Sequence, residues 1–204
     1  MKLKLLSVLG IQFLAIDLIQ GQGTFIYDQQ SSTNSGSAAG GPIIQQIATP
    51  YGQSFTPALS SIGFVQLGLF DSNPGNNQGA TVFVNLRANS IDGISLGSTA
   101  PIFMPDGFGN VTSGVTNFFF ATAISLTPGQ VYYLQPIVQS GDLWGVSAGE
   151  YYYPGGSVFV GGFAATASDY WFREGIVPEP SAALLFLFGG GVVAWRHRQK
   201  RRSG

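Results

Sequence analysis

The middle of the chain alternates apolar and polar positions with a period of two residues, the pattern of half-buried β-strands. In VFVNLRA, Val82, Val84 and Leu86 share one strand face, and in VYYLQPIVQ, Tyr132 and Leu134 share another. Between residues 24 and 176 no apolar stripe recurs every three or four residues, as an amphipathic helix would require. The pattern therefore predicts an all-β body.

Turn-forming residues interrupt these strands about every ten residues, a spacing typical of antiparallel sandwiches with roughly eight strands. The predicted turns are DSNPGNN at 71–77, DG at 92–93, DG at 106–107, TPGQ at 127–130, SGD at 140–142 and PGG at 154–156. An antiparallel β-sandwich is the fold class that this pattern favours.

Four segments sharpen this expectation: QSFTPALSSIGFVQLGLF, ISLTPGQVYYLQ, YPGGSVFVGG and DYWFRE. Together they resemble the jelly-roll-like domains of secreted bacterial proteins. The resemblance implies a jelly-roll-like sandwich over residues 42–175, and it implies fold more than function. The preceding residues 24–41 contain QQSSTNSGSAAGG, a composition that predicts a flexible or loop segment.

Composition removes several function classes. The chain has no cysteine, and its one histidine is His197 near the C-terminus. Thiol catalysis, cysteine-ligated metals and a Ser-His relay in the body are thereby excluded, and we predict no cofactor and no enzymatic activity. Between residues 24 and 176 the sequence has eight acidic residues and only two basic ones, Arg87 and Arg173, which gives this body a net charge of −6. Such a body does not favour nucleic-acid binding.

The N-terminus predicts an export signal. Lys2 and Lys4 precede an apolar stretch from Leu5 to Ile19, and Gly21 and Gly23 follow it as small residues suited to signal peptidase. We therefore predict a signal peptide over residues 1–23, which includes a signal helix. An uncleaved anchor and a first buried helix are the alternatives.

The C-terminus has three ordered parts: VPEPS, then ALLFLFGGGVVAW, then RHRQKRR. A helix over residues 181–195 would extend ~22 Å, less than the ~30 Å hydrocarbon core of a bilayer. The cations that follow it are what the positive-inside rule expects of a cytoplasmic end. This predicts a hydrophobic helix in the inner membrane, with a C-terminal core helix and a solvated basic tail as the alternative.

This three-part order resembles the PEP-CTERM sorting signal of bacterial exported proteins, over residues 176–204. The resemblance implies that an exosortase recognises Val177, Pro178, Glu179 and Pro180 and that the protein is then delivered to the cell envelope or extracellular matrix. The chain would be transiently membrane-anchored and would be the substrate of that enzyme. The cations that would set its topology are Arg196, Arg198, Lys200, Arg201 and Arg202.

Two groups of residues are candidate binding sites in the body. Asp71, Asn73, Asn76 and Asn77 offer oxygen donors of the kind that Ca²⁺ prefers, although the same composition is ordinary for a turn. The aromatic residues could stack on sugar rings of an exopolysaccharide, although core packing explains them as well. They are Trp144, Tyr151, Tyr152, Tyr153 and Trp171.

Glu150 and Asp169 are a third, enzymatic possibility, since glycoside hydrolysis needs two carboxyl groups ~5–9.5 Å apart. No recognisable motif surrounds them, and a structural ion pair between Asp169 and Arg173, or surface charges beside the last strand, is the simpler interpretation. The leading hypothesis is a non-enzymatic exported protein, with a carbohydrate-binding module as the alternative.

Overall fold

The computed structural model describes residues 24–33, 43–44, 50–110, 114–149, 151–165 and 168–178. These residues contain fifteen strands and no helix. The strands are β1 (Ile26–Gln30), β2 (Ile43–Ile44), β3 (Gly52–Phe55), β4 (Ser61–Asp71), β5 (Ala80–Ala88), β6 (Ser95–Ser98), β7 (Ile102–Met104), β8 (Gly114–Ser125), β9 (Tyr132–Gly141), β10 (Trp144–Val146), β11 (Ala148–Gly149), β12 (Val158–Val160), β13 (Phe163–Ala165), β14 (Asp169–Tyr170) and β15 (Phe172–Ile176).

The first sheet is organised around the long strand β4. Strand β8 pairs with one side of β4, and β15 and β10 pair with different parts of β4. Strand β1 lies outside β15, and β2 lies outside β10. All of these pairings are antiparallel. Because β15 pairs with β1 and with β4, this last strand of the body is enclosed between them.

The second sheet has the order β13-β12-β3-β9-β5-β6, with β7 also paired to β5. Strands β11 and β14 form a separate antiparallel pair. An isolated bridge between Thr99 and Phe120 links the region after β6 to strand β8 of the first sheet. Every pairing among the described strands is antiparallel, which confirms the predicted all-β antiparallel class.

The two sheets share one hydrophobic core, which makes the body sandwich-like. Strand β5 alternates as its sequence predicts: Val82, Val84 and Leu86 are fully buried, and the residues between them are half-buried. Strand β9 likewise buries Tyr132 and Leu134. These side chains belong to the same cluster as apolar residues of β4, β8 and β10. The residues from 24 to 178 form one compact unit.

The turn between β8 and β9 shows why the turn prediction succeeded. The N–H of Gln130 donates to the carbonyl of Thr127 at 3.1 Å, and Gly129 has a φ of 80°. Proline followed by glycine is the arrangement that a type II turn favours, because only the third residue needs a positive φ. The chain therefore reverses at the predicted position.

The predicted loop over residues 24–41 is wrong for Ile26–Gln30, which form strand β1. Strand β1 pairs with β15 through backbone groups from Ile26 to Gln30. The loop prediction gave weight to the Ser/Gly-rich composition that follows, whereas Ile26 and Tyr27 have strand-forming side chains. Residues 34–41, the predicted signal helix and the predicted membrane helix lie outside the described residues. Nothing in the described ranges forms a helix of membrane-spanning length and hydrophobicity.

Candidate functional site

The aromatic residues predicted as a sugar platform do not share one exposed surface. Trp144 and Trp171 are fully buried, and Tyr153 is 5% exposed. Tyr152 is 80% exposed, and Tyr151 is half-buried. Trp144 is buried because strand β10 is paired on both sides, to β4 and β2, and directs this side chain into the shared core. A sugar ring could therefore reach only the tyrosines at 151 and 152.

The loop predicted as a calcium candidate uses its oxygen atoms for internal hydrogen bonds. One carboxylate oxygen of Asp71 accepts from the N–H of Asn73, and the other accepts from the N–H of Gly107, both at 2.8 Å. The side-chain oxygen of Asn76 accepts from the N–H of Gln78 at 2.7 Å. The side chains of Asn73 and Asn77 lie on exposed positions.

A second carboxylate stabilises the same loop from outside. Asp106 accepts from the N–H of Gly75 at 2.8 Å and from the N–H of Asn77 at 2.9 Å. These hydrogen bonds hold the pKa of Asp106 below its usual value, and the bond from Gly75 has the largest effect. Asn76 also donates to the carboxylate of Asp142. No group of three or more acidic or histidine ligands occurs among the described residues.

Asp169 is a buried structural residue rather than a surface charge. Its carboxylate accepts from Nε2 of Gln53 at 2.8 Å and from the N–H of Tyr153 at 2.9 Å. Gln53 in turn accepts from the N–H of Tyr170 at 2.8 Å. The guanidinium of Arg173 contacts the rings of Trp171 and Tyr27. Glu150, the other predicted acid, lies outside the described residues.

Strand β15 leads directly into the predicted sorting motif. Its last residue, Ile176, is opposite Ile26 of β1. Val177 and Pro178 follow and are half-buried, and a Cβ placed on Gly63 of β4 would lie 3.5 Å from the backbone nitrogen of Val177. The first residues of the motif therefore lie against the folded body, whereas Glu179, Pro180 and the basic tail lie outside the described residues.

Residues 177–202 match the PEP-CTERM protein-sorting motif. The PEP-CTERM motif implies export and sorting to the cell envelope, with an exosortase as the processing enzyme. The predicted sorting signal is thereby confirmed, and the matched residues include all four proposed recognition positions and all five cations of the tail. No curated protein matches the chain at a significant level.

One functional candidate near the PEP-CTERM motif was missed by sequence reasoning. Glu174 in β15 is fully buried, and neither of its carboxyl oxygens makes a hydrogen bond of normal geometry. Burial raises the pKa of Glu174 to about 9, and the nearby carboxyl group of Asp28 also raises it. The signal was present in DYWFRE, because the two-residue period places Glu174 on the same strand face as the buried Phe172.

Proposed function

We propose that this chain is an envelope or matrix protein whose body, a jelly-roll-like sandwich, has a structural or binding role and no catalytic one. The observation that carries this proposal is that the PEP-CTERM motif begins at Val177, the residue directly after the end of strand β15. A chain of this design is delivered as cargo. Its own contribution is then the β-sheet body that is delivered with it.

The chemistry of the body supports a non-catalytic role. Asp169, the described member of the proposed glycosidase pair, has both carboxylate oxygens engaged by Gln53 and Tyr153. Asp71 has both oxygens engaged by backbone N–H groups. A general acid or nucleophile needs a carboxyl group that can reach the substrate. The carboxylate of Asp169 satisfies buried donors of the fold, and that of Asp71 satisfies backbone N–H groups of the neighbouring loops.

The termini would supply the delivery steps. In this proposal signal peptidase removes residues 1–23, and the helix at 181–195 with its following cations holds the chain in the inner membrane until the exosortase acts. The prolines at 178 and 180 favour an extended peptide around Glu179, which suits recognition by an enzyme.

Replacement of Glu179 by alanine tests this proposal. The substitution removes the carboxylate of the motif and leaves the apolar segment and basic tail unchanged. In an exosortase-bearing host, Glu179→Ala protein should accumulate at full length in the membrane fraction, whereas wild type is shortened and released. Glu150→Ala is the matched control and should be processed like wild type. Normal shortening and release of Glu179→Ala would show that processing does not require Glu179 and would count against the proposed sorting step.

A second candidate function, carbohydrate binding, is better supported on the outer face of the second sheet than at the predicted platform. Nε of Arg87 donates to Oε1 of Gln135 at 2.6 Å, and the hydroxyl of Ser98 donates to Oδ1 of Asn85 at 2.6 Å. Tyr133 lies on the same face as Gln135 and packs edge-on against Phe159, with ring centroids 5.4 Å apart. Gln135 is only 1% exposed, so a sugar would reach this face through the half-buried Arg87 and Tyr133 and the exposed Ser98. Guanidinium, hydroxyl and aromatic groups are the chemistry that binds sugar hydroxyls and pyranose faces.

Binding of the purified chain to immobilised polysaccharides tests this second candidate. Tyr133→Ala should weaken binding about tenfold or more, since it removes a ring of this face. Tyr152→Ala is the control, because Tyr152 is the exposed residue of the originally predicted group. The reverse result, with loss only in Tyr152→Ala, would return the site to the predicted group.

A further inference from the structure

Strand β1 is an edge strand whose pairing depends on one neighbour. Among the described strands it pairs only with β15. The ladder is interrupted between Tyr27 and Gln29, so Asp28 lies at a bulge. One carboxylate oxygen of Asp28 accepts from the N–H groups of Ala58 and Leu59, both at 2.9 Å. The side chain of Asp28 therefore fastens the edge strand to the loop after β3.

The buried carboxyl group of Glu174 is surrounded mainly by acidic and neutral groups. Burial and the carboxyl group of Asp28 raise its pKa, and the N–H of Gln29 on β1 has a smaller, opposite effect. Strand β1 contributes Asp28, β14 contributes Asp169, and the segment after β11 contributes the phenol of Tyr153. Burial raises the pKa of Tyr153, and the three neighbouring carboxyl groups raise it further. Strand β4 places Val65 opposite Glu174 and has no ionisable residue near it. The loop from Thr56 to Ser60 contains no ionisable residue.

No nearby cation among the described residues compensates this group. Arg87 and Arg173 are the only basic residues in the sequence between 24 and 176. Arg173 is the neighbour of Glu174 on β15, so its side chain leaves the opposite face of the strand, where its guanidinium carbon lies 4.8 Å from the ring centroid of Trp171. Arg87 belongs to the second sheet. A charged Glu174 would therefore be buried, unpaired and close to the carboxylate of Asp28.

We propose that Glu174 and Asp28 form a proton-dependent latch, in which the protonated Glu174 carboxyl group keeps β1 on β15 and loss of this proton releases β1. The charge must gain access to water, and β1 is the edge strand that covers this end of β15. Strand β1 has five residues and is an edge strand, whereas β15 is also paired to β4. Moving β1 also removes Asp28, the nearest like charge.

The raised pKa of Glu174 agrees with this geometry, since it places loss of the proton in the alkaline range. In the opened state the carboxyl group is hydrated and titrates near its ordinary value of ~4.3. Between these two values, each pH unit should increase the equilibrium constant for opening about tenfold. A drop in pH restores the proton and closes the latch.

Hydrogen exchange on the full-length chain, purified in detergent, tests the latch. After correction for the intrinsic exchange rate, the protection of amides in β1 should fall about 100-fold between about pH 6 and pH 8. Strands β5 and β9 should remain more protected than β1 at both values. Glu174→Gln removes the titrating proton, so its β1 protection should be independent of pH over this range.

Asp92→Asn is the matched control, because Asp92 is an exposed acid in the turn after β5. It should retain the wild-type dependence on pH. Equal protection of β1, β5 and β9 at each pH would show one cooperative unit and overturn the latch. A wild-type dependence that is absent, or that persists in Glu174→Gln, would overturn it as well.

Carbon-13 NMR of the glutamate carboxyl groups provides a measurement that needs no Glu174 variant. The chain has three glutamates, Glu150, Glu174 and Glu179, and the signals can be assigned by replacing the other two. A midpoint for Glu174 above about pH 7 is expected, since a buried carboxyl group beside another titrates late. A midpoint at or below that value, with the β1 amides still protected at the same pH, would mean that the carboxyl group is charged while β1 is in place, and the proposal would fail.

Discussion

The body contains two pairs of neighbouring acidic side chains, and their surroundings differ. Beside the loop between β4 and β5, Asp71 at the end of β4 and Asp106 after β7 each accept hydrogen bonds from two backbone N–H groups. At the edge of the first sheet, Asp28 has such donors, but Glu174 has none within normal geometry. The oxygens of the first pair are thus satisfied by N–H donors, whereas in the second pair the carboxyl oxygens of Glu174 are not.

The difference shows that donors, rather than burial alone, determine which form of an acid the fold stabilises. Asp71 is 3% exposed and Glu174 is fully buried, so both carboxyl groups have lost most of their contact with water. Hydrogen bonds from N–H groups replace water at Asp71. At Glu174, burial and Asp28 raise the pKa more than the N–H of Gln29 lowers it, and the carboxyl oxygens make no hydrogen bond of normal geometry. The neutral acid is therefore the less costly form.

The largest expected effect is on the pH dependence of stability. Because the pKa of Glu174 is raised on folding, its stabilising contribution is complete below the ordinary glutamate pKa and declines as pH rises toward about 9. The free energy of unfolding should fall by up to about 4 kcal/mol between pH 5 and pH 8, at about 1.4 kcal/mol per unit. Urea unfolding monitored by tryptophan fluorescence measures this decline.

Glu174→Gln is the comparison for that measurement. Over this pH range the variant should lose the decline, and at pH 8 it should be more stable than wild type. If the two proteins have parallel profiles, the buried acid does not exchange a proton on unfolding and the contrast between the two pairs disappears.

The second prediction concerns the pair whose oxygens accept from backbone N–H groups. Asp71→Ala removes both acceptors and leaves the N–H groups of Asn73 and Gly107 without them, which should lower the free energy of unfolding by about 2–3 kcal/mol. Asp71→Asn keeps one acceptor and should cost less. A cost equal to that of the exposed control Asp92→Ala would show that these hydrogen bonds contribute little.

The smallest effect is expected at Asp106, which is at the surface. Its pKa is lowered on folding, so its contribution is present above the ordinary aspartate pKa and is lost as pH falls through the lower, folded-state value. In an acid titration, the amide resonances of Gly75 and Asn77 should shift together with this step. If the two amides shift at different pH values, their hydrogen bonds do not both report the titration of Asp106, and the prediction is wrong.

The sequence predicted the class of fold because that class follows from local patterns. The alternation in β5 and the Pro-Gly turn before β9 depend on residues within a few positions of each other. Strand β1 was not predicted, because its partner β15 is more than 140 residues away in the chain, and no local composition reveals such a pairing. Long-range pairing also explains why the aromatic residues at 144 and 171 became core.

The sorting motif and the acid pair differ in the same way. The PEP-CTERM motif is a linear sequence and could be identified from its residues alone. The relation of Asp28 to Glu174 exists only after β1 and β15 are brought together. Glu174 could have been singled out from its position on a buried strand face, but its partner required the sheet.

The close succession of β15 and the motif leaves the substrate without a spacer. Ile176 is the last strand residue, and Glu179 follows after two residues. Even a fully extended chain would separate them by only ~10 Å. An exosortase that engages Glu179 would therefore have to accommodate the folded body within about 10 Å of its active site. In the proposed function, steric clearance around the sheet, rather than the length of a flexible tether, would limit access of the enzyme to Glu179.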